Sequence, residues 1–128
     1  MKPLTGEWVD KAEGDYATAR REMRARRQPN YDAACFHAQQ CSEKYLKALL
    51  QEGGHTITRT HNLETLATPL MAAYPTLQGL VARLRELTAY AVESRYPGKS
   101  SDRALARDAV AHCSVIRTAV RKALRIRR

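Results

Sequence analysis

One continuous stretch, residues 31–54, constrains the fold of this chain more than any other part of it. Asn30 stands in the N-cap position before the stretch, Asp32 lies in its first turn, and the pair Gly53-Gly54 ends it. A polar cap and an early anion stabilise the start of a helix, while glycine supplies the left-handed stop. The stretch is therefore predicted to form one strong helix.

Apolar residues cover two sides of this helix. With a turn of about 100° per residue, Leu46 and Leu50 lie outside one broad apolar face. That face contains Ala34, His37, Ala38, Cys41, Tyr45, Ala48 and Leu49. A helix with this pattern is expected to pack on both sides, which also predicts contact between two copies of the chain.

Between the apolar sectors runs a polar strip at helical spacing. Its members are Gln40, Glu43, Lys44 and Lys47. A desolvated charge without a partner is costly, so charges flanked by apolar residues on both sides need partners. Glu43 and Lys47 are an i,i+4 pair of favourable orientation. The strip is therefore interpreted as either a lattice of ion pairs or a site.

Helical periodicity continues through the rest of the chain, with no strand or hairpin signal. Thr60 or Asn62 is predicted to cap a short helix that Pro69 disturbs, and Ser100 or Ser101 to cap the last helix. The helices are predicted at residues 6–27, 31–54, 61–74, 76–94 and 101–125. The expected fold is all-α, an up-and-down bundle of four main helices plus one short helix, in a single domain over residues 1–128.

Charge and cysteine usage narrow the classes of function. The chain has 22 Lys and Arg against 13 Asp and Glu, a net charge of +9, which favours polyanionic partners such as RNA, DNA or an acidic protein. Three cysteines without paired spacing fit a reducing compartment better than a disulfide framework. There is neither a signal-peptide pattern nor a membrane-spanning run, so a cytoplasmic protein that does not insert into a membrane is expected.

Neither a metal nor a cofactor is expected. His37 and Cys41 are four residues apart, as ligands on one helix face would be, but no further ligand pair accompanies them. A buried packing role therefore suits them better. The chain also lacks a glycine-rich phosphate loop and a carboxylate pair for two metal ions, so it is not expected to be a nucleotidyltransferase itself.

Three segments occur in an order and spacing that span nearly the whole chain. They are Gln39-Gln40-x-x-Glu43-Lys44-x-x-Lys47-Ala48, Thr60-His61-x-Leu63 and Ser94-Arg95-Tyr96-Pro97. In this order they resemble the HEPN family, the higher eukaryotes and prokaryotes nucleotide-binding domains. The resemblance implies a helical bundle that is usually dimeric and is often produced beside a small nucleotidyltransferase as a two-component pair. Some members of the family are metal-independent ribonucleases with an Arg-x4-6-His pair at the dimer interface.

The ribonuclease pair is not kept where the resemblance would place it. After Arg95 the positions for the histidine hold Ser100, Ser101 and Asp102, none of which serves as a general base near neutral pH. A second match runs from Arg107 to His112. On a straight helix these two side chains point about 140° apart, so they are interpreted as an exposed arginine and a core-edge histidine, or as a catalytic pair formed only between two copies.

The resemblance and the polar strip together suggest a nucleotide-binding or partner-binding site. Its candidate residues are Glu43, Lys44, Lys47, His61, Arg95 and Tyr96. In the alternative interpretation, Glu43 and Arg95 neutralise each other across the bundle and Tyr96-Pro97 is a structural stop.

Arginines also recur along one side of the last predicted helix. A ridge of this kind can follow a phosphate backbone without reading its sequence, and the alternative is a solvated face. The ridge consists of Arg103, Arg107, Arg117, Arg121, Arg125 and Arg128.

Three functions remain open from the sequence. The first is a homodimeric, HEPN-like module that contacts a nucleotide or RNA and is the partner of a small nucleotidyltransferase in a toxin–antitoxin-like pair. The second is a metal-independent ribonuclease toxin that uses Arg107 and His112, or Arg95 and His61, across a dimer. The third is a purely structural oligomerisation domain.

Overall fold

A computed structural model describes residues 1–93 and 96–127 of the chain. Throughout these two ranges the regular secondary structure is helical, and the prediction of an all-α fold is confirmed. The elements are α1 (Pro3–Arg24), α2 (Tyr31–Glu52), α3 (Leu63–Ala67), a 3₁₀ turn (Thr68–Leu70), α4 (Pro75–Gln78), α5 (Val81–Glu93) and α6 (Arg103–Ala123).

The long helices alternate in direction. The backbone N–H of Lys2 donates to Glu52 Oε1 at 2.9 Å, so the start of α1 meets the end of α2 and the two form an antiparallel hairpin. The backbone N–H of Ser101 donates to Asp32 Oδ1 at 2.7 Å, which places the start of α6 beside the start of α2. The arrangement is the predicted up-and-down bundle.

Helix α2 lies at the centre of the bundle and contacts α1, α3, α5 and α6. Its side chains Tyr45, Leu46, Leu49 and Leu50 are fully or almost fully buried. Burying one such side chain contributes about 1.5–3 kcal/mol. The prediction of packing on two sides is therefore confirmed, but neighbouring helices of the same chain cover both sides. The two-sided apolar pattern of α2 is consequently not evidence for a dimer.

Helix ends differ from the predicted ones for local reasons. The N-cap of α6 is Asp102, whose Oδ1 accepts the N–H of Leu105 at 2.8 Å, and neither Ser100 nor Ser101 has this role. Asn62, rather than Thr60, caps α3. Because a turn at residues 79–80 separates α4 from α5, the predicted helix over residues 76–94 is interrupted.

The N-terminal boundaries also shift. Helix α1 begins at Pro3, since proline suits the first helical position, and it ends at Arg24 instead of residue 27. Gln28, with a φ of 47°, turns the chain before Pro29. Asn30 then caps α2 as predicted, its Oδ1 accepting the N–H of Ala33 at 2.9 Å.

A polar network centred on Glu13 joins α1, α2 and α6. Arg117 donates from Nε and Nη2 to the two Glu13 carboxylate oxygens at 2.7 and 2.8 Å. The hydroxyl of Tyr45 donates to Glu13, and Arg121 Nη1 donates to that hydroxyl at 2.9 Å. The hydrogen bond from Arg117 lowers the pKa of Glu13 to about 2, although burial of the carboxylate acts in the opposite direction.

Removing the Glu13 charge is expected to destabilise the fold. The substitution Glu13→Gln should lower the free energy of unfolding by about 1–3 kcal/mol at pH 7, because Arg117 loses its charged acceptor and Arg121 loses the carboxylate 3.8 Å away. Urea denaturation measures this value. Glu22→Gln on the same helix is the matched control, with an expected change within about 0.5 kcal/mol.

Wild type and Glu13→Gln also test how the stability of the fold depends on pH. Folding lowers the pKa of Glu13 from 4.5 to about 2. The contribution of its charge to the free energy of unfolding is therefore fully present above pH 4.5 and is lost as the pH falls through about 2. The difference in unfolding free energy between wild type and Glu13→Gln should therefore shrink between these two pH values. A difference that stays constant on acidification would contradict the network.

Candidate functional site

The carboxylate of Glu43 is buried in the middle of α2, with 5% of its side chain exposed. Lys47 Nζ donates to Glu43 Oε2 at 2.9 Å. His61 Nδ1 lies 2.8 Å from Oε1, and Gln39 Nε2 donates to the same oxygen at 3.2 Å. We call these four residues the Glu43 network. It satisfies both carboxylate oxygens, as a buried charge requires.

Local sequence explains how the Glu43 network assembles. Gln39, Glu43 and Lys47 follow one another at intervals of four residues, so they share one side of α2. His61 enters from the loop before α3, where the Asn62 cap fixes the start of the helix. Gln39 Nε2 also donates to the backbone oxygen of His61 at 2.8 Å. One amide thus holds both the carboxylate and the loop.

The ionisation of Glu43 determines which tautomer of His61 the Glu43 network holds. Burial would raise the pKa of Glu43, but hydrogen bonds from Lys47, His61 and Gln39 outweigh it and lower the pKa. An ionised carboxylate only accepts, so Nδ1 of His61 carries the hydrogen. The His61 side chain is 63% exposed, and its Nε2 is the nitrogen left for a ligand or a proton.

Lys44, predicted to belong to the same site, points to a different helix. Its ammonium group pairs with Asp15 of α1, and His37 Nδ1 lies 2.8 Å from the other oxygen of that carboxylate. The polar strip of α2 is therefore two clusters, one facing α1 through Lys44 and one facing the α3 loop through Glu43.

The other two predicted site residues follow α5. Arg95 lies outside the described residues, so its predicted pairing with Glu43 or His61 stays a prediction. Tyr96 is 62% exposed. The last turn of α5 lies beside the Glu43 network, because Ala91 and Val92 line a small cavity together with Gln39 and His61.

His112 is held by α5 instead of facing Arg107. Arg83 Nη1 lies 3.1 Å from His112 Nδ1, and Glu86 Oε2 lies 2.8 Å from Nε2. Since a guanidinium only donates, Nδ1 accepts and Nε2–H donates to Glu86. The ring also stacks on Tyr90, with a centroid distance of 6.3 Å. Both nitrogens are occupied within the chain, and the Arg107–His112 pair is not assembled in one copy.

The predicted arginine ridge of α6 divides into two groups. Arg103, Arg107 and Arg125 are exposed. Arg117 and Arg121 instead bind the polar network of Glu13 and Tyr45, and Arg121 is only 9% exposed. The prediction of a continuous ridge was wrong for these two, because their partners lie on α1 and α2. Arg128 lies outside the described residues.

Trp8 of α1 is a neighbour of the Glu43 network that is not among the predicted site residues. Lys47 Nζ lies 5.6 Å from the centroid of its ring, in a cation–π contact. Trp8 is half-buried. The antiparallel pairing of α1 with α2 brings the two together, and periodicity within a single helix carries no information about that register.

The described residues also bear on membrane-spanning helices, metal sites and cysteines. No helix in residues 1–93 or 96–127 is long and apolar enough to cross a membrane. Over the same ranges no three His, Cys, Asp or Glu side chains are grouped so that they could hold a metal ion. Cys35, Cys41 and Cys113 are free and buried.

His61 and His112 are expected to be opposite tautomers when their rings are neutral. His61 should carry its hydrogen on Nδ1, facing Glu43, and His112 should carry it on Nε2, facing Glu86. Long-range ¹H–¹⁵N correlation spectra of the imidazole nitrogens, recorded above the pH at which both rings are neutral, distinguish these forms. Glu43→Gln should reduce the Nδ1–H tautomer of His61 and leave His112 unchanged. The same tautomer at both positions would contradict this geometry.

Comparison with known proteins points to one family. A family model described as HEPN domain matches residues 5–123, nearly the whole chain. No curated protein and no solved structure matches the chain. The match agrees with the helical architecture and with the order of the three motifs. The chain therefore belongs to the HEPN domain family and is a helical module of the nucleotide- and RNA-related kind.

Proposed function

We propose that this protein is a HEPN module that contacts a nucleotide or RNA at the Glu43 network. In this proposal it acts as the homodimeric partner of a small nucleotidyltransferase in a toxin–antitoxin-like pair. One observation carries the proposed contact. A buried carboxylate holds His61 by Nδ1, while the opposite edge of the ring is exposed.

The Glu43 network supports contact with an anion because its hydrogen-bonding capacity is not used up. Lys47 has three N–H donors, of which Glu43 takes one at 2.9 Å, and 13% of its side chain is exposed. His61 offers Nε2 as an acceptor when neutral and as a donor when protonated. Glu43 restrains both side chains, so little conformational entropy is lost when they bind a phosphate group.

Exposed arginines supply a second element of the proposal. The starts of α2 and α6 lie side by side, so the end of α1 and the start of α6 share one end of the bundle. We call the exposed arginines there the basic end; they are Arg24, Arg26, Arg27, Arg103 and Arg107. Contacts of this kind give affinity that is independent of sequence and falls steeply with salt.

Dimerisation and the nucleotidyltransferase partner are supported by membership of the family. Val92 and Tyr96, which are exposed apolar residues near the end of α5, offer surface for either contact. Light scattering after gel filtration should give twice the mass of the 14.4 kDa chain at micromolar concentration. A monomer under these conditions would refute the homodimer.

A second candidate, a metal-independent ribonuclease, is favoured by the same histidine. A carboxylate that orients Nδ1 leaves Nε2 placed to remove the proton from a 2′-hydroxyl. The oxygen would attack the adjacent phosphorus and expel the 5′-oxygen, which takes up a proton from water. An arginine, for which Arg95 is the sequence candidate, would stabilise the charge on the phosphorane. The products would be a 2′,3′-cyclic phosphate and a 5′-hydroxyl.

Binding of an end-labelled RNA tests the proposed contact. In fluorescence anisotropy, His61→Ala should weaken binding about tenfold, whereas His55→Ala, an exposed histidine of the same loop, should not. Arg107→Ala should lower affinity modestly and reduce its dependence on salt. Equal binding by His61→Ala and wild type would contradict contact at the Glu43 network.

Incubation of the same RNA in EDTA separates the two candidates. Cleavage that leaves cyclic phosphate ends, is lost in His61→Ala and is retained in His112→Ala would establish the ribonuclease. Binding without cleavage would leave the non-catalytic module. Cleavage lost only in His112→Ala or Arg107→Ala would place the chemistry at the other histidine and refute the role of His61.

A further inference from the structure

A cleft opens beside Trp8, on the side of α1 that meets the end of α2. It has a volume of about 300 Å³ and is lined by Leu4, Glu7, Trp8, Lys11 and Gln51. Four of these residues are spaced by three or four positions on α1, so they form one continuous helix face. The volume is at the lower end of the range for small-molecule sites.

The cleft combines apolar walls with polar groups. Leu4 is 55% exposed although it is a large apolar residue, and Trp8 contributes an aromatic ring. Among the described residues, the carboxylate of Glu7 and the ammonium group of Lys11 form no ion pair or hydrogen bond. The cleft therefore offers a stacking surface, a free acceptor and a free cation.

Trp8 also contacts the central helix. Lys47 Nζ lies 5.6 Å from the centroid of its ring, and Lys47 is not among the residues that line the cleft. Lys47 is in turn bound to Glu43. An aromatic surface that is fixed before a ligand arrives binds at a lower entropic cost.

We propose that this cleft binds a guanine nucleotide, with the base stacked on Trp8, Glu7 accepting from the base and Lys11 facing the phosphate. A carboxylate accepts two hydrogen bonds but donates none. Guanine presents two adjacent donors, N1–H and the N2 amino group, whereas adenine presents its amino group beside an acceptor. The inference extends the proposed nucleotide contact to a second site, which is tested independently of the Glu43 network, and it names the base.

Trp8 is the only tryptophan of the chain, so the emission comes from this ring, which borders both the cleft and Lys47 of the Glu43 network. The Glu7 and Lys11 variants described below separate the two sources of a change. Titration with GMP should quench the emission to a plateau, and AMP should bind about tenfold more weakly or worse. Ribose 5-phosphate should not quench, because it has no base. Absence of saturable quenching by GMP, or equal affinity for GMP and AMP, would overturn the proposal.

Two variants assign the contacts. Glu7→Gln should reduce the preference for GMP over AMP to about threefold or less, while Glu22→Gln, on the same helix outside the cleft, should keep it. Lys11→Ala should weaken the binding of GMP and leave the binding of guanosine, which has no phosphate, unchanged. Retention of the full preference in Glu7→Gln would overturn the assignment of the base.

Failure of this proposal and failure of the proposed function give different results. RNA binding at the Glu43 network without quenching by GMP would refute the cleft and retain the function. Quenching by GMP that depends on Glu7 and Lys11, in a protein whose RNA binding does not depend on His61, would retain the cleft and refute contact at the Glu43 network.

Discussion

A buried carboxylate in the central helix determines where the polar parts of this protein lie. Glu43 stays ionised inside the bundle because Lys47, His61 and Gln39 donate to it. This requirement fixes the loop before α3, orients an exposed imidazole and places an ammonium group over Trp8. The Glu13 network satisfies its charge differently, with arginines from α6, and joins three helices. In the first arrangement His61 is the exposed member, with 63% of its side chain accessible, whereas in the second Glu13 and Arg117 are both partly exposed.

Features that depend on local sequence could be predicted. The α2 helix follows from its period and from the Asn30 cap, and the four long helices follow from the same kind of pattern. The cap of α6 was placed wrongly because Ser100, Ser101 and Asp102 are consecutive candidates, and only the backbone decides among them. Position within one helix thus predicts a face, but not the partner of that face.

Features that depend on the register between helices could not be predicted. Lys44 and Glu43 are adjacent in sequence, yet they pair with Asp15 and His61 on different elements. The burial of Arg121 needs the hydroxyl of Tyr45, which lies on α2. The contact between Lys47 and Trp8 likewise follows from the antiparallel pairing of α1 with α2. Among the described residues of the predicted site, the structure brings Glu43, Lys47 and His61 together and separates Lys44 from them, and their role in binding stays a prediction.

We propose that the functional surface of this HEPN domain is the Glu43 network, while His112 has a structural role. Titration of the ¹⁵N-labelled protein with a short RNA, followed by two-dimensional ¹H–¹⁵N correlation spectra, tests it most directly. Amide shifts are expected to concentrate at Gln39, Lys47 and His61, with a weaker response at the basic end. Shifts confined to the surroundings of Arg107 and His112 would contradict it.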